Sequence, residues 1–303
     1  MLSEKGRPLL ISGIVIGVLG SICFSTKAIF VKLAYRESSV DAITLLALRM
    51  LISLPFFLVS AAYASSKENN QRFSNRQWLY VALVGCLGYY VSSFLDFQGL
   101  RFISAGMERL VLFIYPTIVL LISAFFLRQR ITRVQWLAVI ATYCGLLVAF
   151  YGEASFQQVD SSFIAGSVLI FGCAITYALY IVGSGQLIPL LGASKFNSYA
   201  MTFAAVAVLT HYFCFSSGSL LGQPAEVYVY SGLMAIVSTV IPSYLVAESI
   251  RRIGSGNTAI VASIGPVSTI IQAYFFLQEP IHVTQILGTL LIIGGVLLIR
   301  QRK

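Results

Sequence analysis

With 303 residues, 58% of them hydrophobic and only 10% charged, and a mean hydropathy of +0.87, the chain carries more apolar surface than a soluble domain of this length can bury. That composition excludes a soluble globular protein and predicts one embedded in a bilayer. The net charge of +9 does not point to nucleic acid, because the basic residues fall between apolar runs instead of gathering into a patch.

Lys5 and Arg7 precede an apolar run from Leu9 to about Leu33. The run is too long for the core of a signal peptide and no small-residue cleavage site follows, so it reads as a spanning helix. A span needs about 20 apolar residues. Nine more runs meet that length, at about 41–64, 78–100, 104–127, 133–151, 162–185, 196–215, 227–249, 256–277 and 282–300. The expectation is an all-α integral membrane protein with ten transmembrane helices.

Lys and Arg near helix ends are retained on the cytoplasmic side. Placing the N-terminus there also puts Lys67, Arg72, Arg76, Arg128, Arg130, Arg133, Lys195, Arg251, Arg252, Arg300, Arg302 and Lys303 in the cytoplasm, and leaves Arg36 and Arg101 in outer connections. Both termini are then cytoplasmic.

The stretch from Ser93 to Leu146 recurs 150 positions later, from Ser243 to Val296. Arg101 matches Arg251, Gly106 matches Gly256, Pro116 matches Pro266, and Phe125-Phe126-Leu127 matches Phe275-Phe276-Leu277. Fifteen of the 54 aligned positions are identical, where chance in so apolar a chain gives roughly 5, so the chain is read as a duplication with copies at 1–151 and 152–303. Five helices per copy is an odd number, so the second copy enters the membrane in the opposite sense. Inverted repeats of this kind build many secondary transporters.

Other chemistries find little support. Cys23, Cys86, Cys144, Cys173 and Cys214 lie inside apolar runs without CxxC spacing, and His211 and His282 have no metal-ligand companions. No metal and no cofactor is expected. There is no GxxxxGK[ST] cradle for ATP, and no HExxH or GxSxG. A membrane-embedded enzyme would need such a constellation, and a non-transporting helical sensor would leave the inverted duplication unexplained.

Gly13, Gly17 and Gly20 give the first helix a flat face for close approach, as do Gly85 with Gly88 in the third and Ser162 with Gly166 in the sixth. Pro116 and Pro266 are expected to bend the fourth and ninth helices midway, at matched depth.

The duplicated blocks, together with Ala47-Leu48-Arg49-Met50 and Thr176-Tyr177-Ala178-Leu179-Tyr180, resemble the EamA-type branch of the drug/metabolite transporter superfamily over nearly the whole chain. The resemblance implies a monomeric, multi-pass carrier in the cell membrane, the inner membrane of a bacterium, with a central cavity lined by helices one, three, four, six, eight and nine. It also implies export of an amino acid, another metabolite or a drug. Glu108-Arg109 departs from the small residues more usual at that place.

Ionisable residues inside a span cost roughly 2.5–3.5 kcal/mol on insertion scales and need a partner, water or a purpose. Lys27, Arg49, Asp96, Glu108 and Arg109 all fall in the first copy and in the outer half of the bilayer, where they could form one cluster. Near a helix start Glu108 also suits the macrodipole. The functional expectation is that Glu108 or Asp96 pairs with Lys27, Arg49 or Arg109 and exchanges a proton or a substrate ammonium, while Arg49 is a candidate fork for a substrate carboxylate. Glu248, three and four residues before Arg251 and Arg252, reads as a helical ion pair. Tyr89, Tyr115, Tyr177, Tyr180 and Tyr244 are candidate cavity residues for amphipathic solutes, with Asn257 and Gln272 as lesser polar contacts.

Overall fold

The computed structural model describes residues 6–66, 73–128, 131–154, 160–216 and 218–281, and beyond these positions 283, 284, 286–288, 290, 291 and 294. Lys5, Lys67, Arg72, Arg130, His282, Arg300, Arg302 and Lys303, the repeat positions Gln285 and Gly295, and most of the run from 282 to 300 lie outside the described residues.

The described residues form helices and no strand. In chain order they are α1 (Gly6–Glu37), α2 (Ala42–Ser65), α3 (Asn75–Gly99), α4 (Ala105–Phe126), α5 (Arg133–Ala154), α6 (Ser161–Leu191) and α7 (Ala193–Phe215). Then come α8 (225–253) and α9 (255–277), divided by Gly254, whose φ of 79° and ψ of 162° interrupt the helical path. Helical residues recur between 283 and 294. Among the described residues seven helical stretches are long and apolar enough to cross a membrane, with Ala225–Val261 counted as one.

Short polar side chains start several of these helices by accepting from an otherwise unpaired N–H. Asp41 Oδ1 accepts from Thr44 N at 2.7 Å, Ser104 Oγ from Met107 N at 3.0 Å and Asp160 Oδ1 from Phe163 N at 2.8 Å. Ser74 and Gln77 form a reciprocal capping box before α3. α6 runs past the sequence expectation to Leu191 because Leu187, Ile188 and Leu191 are all buried, and this packing outweighs Pro189 in the last turn. Gly192, at φ 81°, stops it.

The prolines act differently from the expected mid-helix bend. In α4 the helix opens into a turn at Phe113 and Ile114, and Pro116 sits in the first turn of the following segment, Tyr115–Phe126. In α9 the turn is at Ala262 and Ser263, and Pro266 is the third residue of Ile264–Leu277. A helix start has N–H groups without intrahelical partners, so a proline there removes nothing.

Several backbone features repeat at or near the 150-residue offset. α3 holds a π-helical stretch at Cys86–Val91 and α8 holds one at Ile236–Val240. Arg128 and Gln278, just past the ends of α4 and α9, both adopt the left-handed conformation, at φ 53° and 58°. The packing repeats as well: α1 lies on α8 and α9, α6 lies on α3 and α4, and α2 lies on α7.

Close approach uses the glycines. A Cβ on Gly17 of α1 would stand 2.7 Å from Ser249 Oγ of α8, and one on Gly85 of α3 would run into the carbonyl oxygen of Ala200 in α7. Gly166 of α6 packs on Phe102 and Ile103, whereas Ser162 is exposed and takes no part in that contact. The duplicated phenylalanine pairs, Phe125-Phe126 and Phe275-Phe276, are exposed apolar surface of the kind that lipid covers.

Candidate functional site

The breaks in α4 and α9 free backbone groups in the middle of the bundle, and in a bilayer such groups need protein partners. Ser21 Oγ donates to the Ala262 carbonyl at 2.9 Å and Ser25 Oγ to the Gly265 carbonyl at 3.1 Å, so α1 satisfies the opened turn of α9. Tyr143 of α5 donates to the Ile114 carbonyl at 3.2 Å, which does the same for α4.

A cavity lies beside these breaks, lined by residues of α1, α3, α4, α6, α8 and α9. These are the six helices that the family resemblance implied. Its volume is about 40 Å³. At roughly 10–15 Å³ per water this is room for a few waters, too little for an organic solute.

An ionic cluster forms one wall. Lys27 Nζ of α1 is 2.7 Å from Asp96 Oδ2 of α3 and 3.8 Å from Glu108 Oε1 of α4. Arg109 Nε is 3.5 Å from Glu108 Oε2. Arg109 is further held by a hydrogen bond from Nε to Thr269 Oγ1 at 3.1 Å and one from Nη2 to the Phe24 carbonyl at 3.1 Å. All four charged side chains are buried, Asp96 and Glu108 fully so. Pairing of this kind offsets the large cost of removing charges from water.

The sequence candidates divide sharply at this wall. Lys27, Arg109, Tyr115 and Tyr177 line the cavity, and Asp96 and Glu108 stand behind the two cations. Tyr89 and Tyr180 form a second layer, with ring centroids 5.0 Å apart, and Tyr180 stacks on Tyr177 at 5.8 Å. Arg49 does not reach the cavity: its Nη2 donates to Ser93 Oγ at 2.9 Å and its guanidinium lies 4.9 Å from the Phe97 ring. Tyr244 is drawn to the α2–α7 side, sharing a 2.9 Å hydrogen bond with Ser198 and packing on Phe57. Asn257 donates across the Gly254 break to the Ile253 carbonyl at the end of α8, Gln272 donates to Ser268 Oγ within α9, and neither lines the cavity. Pro266 lines it and Pro116 does not.

Sequence reasoning missed Ser21, Phe24, Ser92, Ser93 and Thr269. Ser21 and Ser25, four residues apart on α1, and the adjacent Ser92-Ser93 within α3 are polar residues inside apolar runs, a signal that small size disguised as packing.

The two ends of the bundle differ. Where α1 begins, Arg252 of α8 joins Ser12 Oγ at 2.7 Å and Glu248 at 2.6 Å, and Arg251 also pairs with Glu248. At the other end a larger cavity of about 590 Å³ opens among Lys32, Arg36, Arg101 and Glu279. Tyr35 lines this vestibule and donates to the carbonyl of Phe97, next in the chain to Asp96, at 2.9 Å.

A many-helix bundle with an apolar exterior and a small, charged cavity is the architecture of a multi-pass membrane transporter. Residues 11–151 and 164–301 each match the EamA-like transporter family, and the chain belongs to that family. It is 31% identical over 292 residues to the uncharacterized transporter YcbK of Bacillus subtilis (strain 168), covering 94% of this chain and 90% of that protein. The WAT1-related protein At1g68170 of Arabidopsis thaliana is 24% identical over 91% of this chain and 85% of its own length. A protein of known crystal structure superposes with a TM-score of 0.73 at 18% identity, covering 96% of this chain and 98% of that one, which speaks to the fold alone.

Proposed function

We propose that the chain is a secondary transporter of ten spanning helices, with copies at 1–151 and 152–303 inverted about an axis in the membrane plane and both termini in the cytoplasm. It exports a small organic metabolite, an amino acid or a related amphipathic solute, from a bacterial cell by alternating access. The observation that carries this reading is a small cavity built by six helices drawn from both matched segments, with a buried ionic cluster in its wall. The repeated breaks and π-helical stretches supply local give in a packed bundle, a common place for π-bulges to be functional. Lys27, Asp96, Glu108 and Arg109 form the coupling group, with protons as the coupling ion, and the chain works as a monomer.

The test is reconstitution into liposomes and a screen of labelled amino acids and metabolites with and without a proton gradient. The expected result is saturable flux that the gradient accelerates. Glu108→Gln should keep exchange of solute at equilibrium but lose the response to the gradient. Flux that ignores the gradient in the unaltered protein would remove proton coupling, and absence of saturable flux for every solute would remove the transport reading.

A further inference from the structure

Among the described residues, the charged side chains that line the central cavity are Lys27 and Arg109, both cations. Their counter-ions are fully buried on the far side, so a solute in the cavity meets two positive groups and no carboxylate. Arg109 also has donors to spare. Of its five N–H groups, Nε serves Thr269 and Nη2 serves Phe24, while Nη1 donates to nothing among the described residues.

Beside the cations the wall is aromatic. Phe24 and Tyr177 have centroids 5.9 Å apart, Tyr115 and Tyr177 5.1 Å, and Lys27 Nζ lies 5.4 Å from the Phe24 ring.

We propose that the cavity selects an organic monoanion, a carboxylate with a flat apolar body, and that Lys27 and Arg109 take the carboxylate while Phe24, Tyr115 and Tyr177 take the body. The proposal deepens the transporter reading and rests on it. A planar carboxylate matches the fork of a guanidinium. An ammonium group at the same place would sit against two cations with only hydroxyls and carbonyls to receive it. The preference is therefore for anions over amines, and for simple acids over zwitterionic amino acids of the same size. The cavity as it stands is too small for such a body, so the helices that line it must move apart to admit it.

The experiment uses the full-length protein in detergent and reads its unfolding midpoint against benzoate, hexanoate and 3-phenylpropanoate, each beside its primary amide and the matched amine. The expected result is that at least one acid raises the midpoint and half-saturates at a concentration tenfold or more below its amide and amine. Arg109→Gln should lose that shift and Arg109→Lys should keep part of it, each measured against its own ligand-free midpoint. Amides or amines that stabilise as well as the acids overturn the proposal, and so does the absence of a shift with all three acids. Saturable flux of an amine in the liposome screen leaves the transporter reading standing while this one falls, so the two failures are told apart.

Discussion

Arg109 and Thr269 are joined by a 3.1 Å hydrogen bond from the guanidinium Nε to the threonine hydroxyl, across the two segments of the chain that each match the family. Thr269 is fully buried, so its hydroxyl finds no water as a substitute partner. The bond fixes the orientation of a cation that lines the cavity.

Thr269→Val keeps the shape of the side chain and deletes the acceptor. Losing a hydrogen bond to a charged group costs about 1.5–3 kcal/mol. The variant is expected to unfold at a lower temperature in detergent than the unaltered protein, and Thr269→Ser to recover most of the difference. A valine variant as stable as the original would show that Arg109 is held by Glu108 and Phe24 alone.

The Lys27–Asp96 pair makes a separate prediction. Lys27→Met removes the cation 2.7 Å from Asp96 and strands a carboxylate that is fully buried. Breaking one side of such a pair costs on the order of 3 kcal/mol. Adding Asp96→Asn removes the stranded charge, so the double variant should regain at least half of the lost stability. Denaturation of the three variants in detergent provides the thermodynamic cycle, and additive losses would count against a direct pair.

Much of this arrangement was legible in the residues. Charges inside apolar runs cannot stay unpaired, so Lys27, Asp96, Glu108 and Arg109 could be expected to meet, and the structure brings them together. Approximate helix positions followed from the length a span needs, although α6 runs past its expected end to Leu191. Side-chain direction did not follow, because periodicity in a uniformly apolar helix does not mark which face turns inward. For that reason Arg49, Tyr244, Asn257 and Gln272 read as cavity residues although each is bound elsewhere. The π-helical stretches and the turns ahead of Pro116 and Pro266 also left no mark, since their sequences, such as Cys86-Leu87-Gly88-Tyr89-Tyr90-Val91, fit an ordinary helix equally well.

Two helical glycines in different surroundings should respond oppositely to substitution. A Cβ on Gly85 meets the backbone of Ala200, which cannot rotate away, whereas a Cβ on Gly232 meets nothing within 4 Å. Gly85→Val is therefore expected to separate α3 from α7 and to abolish a monodisperse peak in size-exclusion chromatography. Gly232→Ala should leave the peak unchanged and raise stability by up to about 1 kcal/mol through helix propensity. Equal behaviour of the two variants would mean that α3 and α7 do not approach as closely as described.

Arg101 and Arg251 test the membrane orientation on which alternating access depends. They occupy matched positions near the ends of α3 and α8, and both are exposed. From Arg101 to Arg251 the chain passes through α4, α5, α6, α7 and α8, and if each crosses the bilayer the count is five. An odd number of crossings puts the two arginines on opposite sides. In a background with the five native cysteines replaced, Arg101→Cys is expected to react with an impermeant maleimide on intact cells, and Arg251→Cys only after the membrane is opened. If both label from the same side, one helix between them does not cross and the copies are parallel. The cavity then has no partner half to rock against, and exposure to the two sides in turn needs another mechanism.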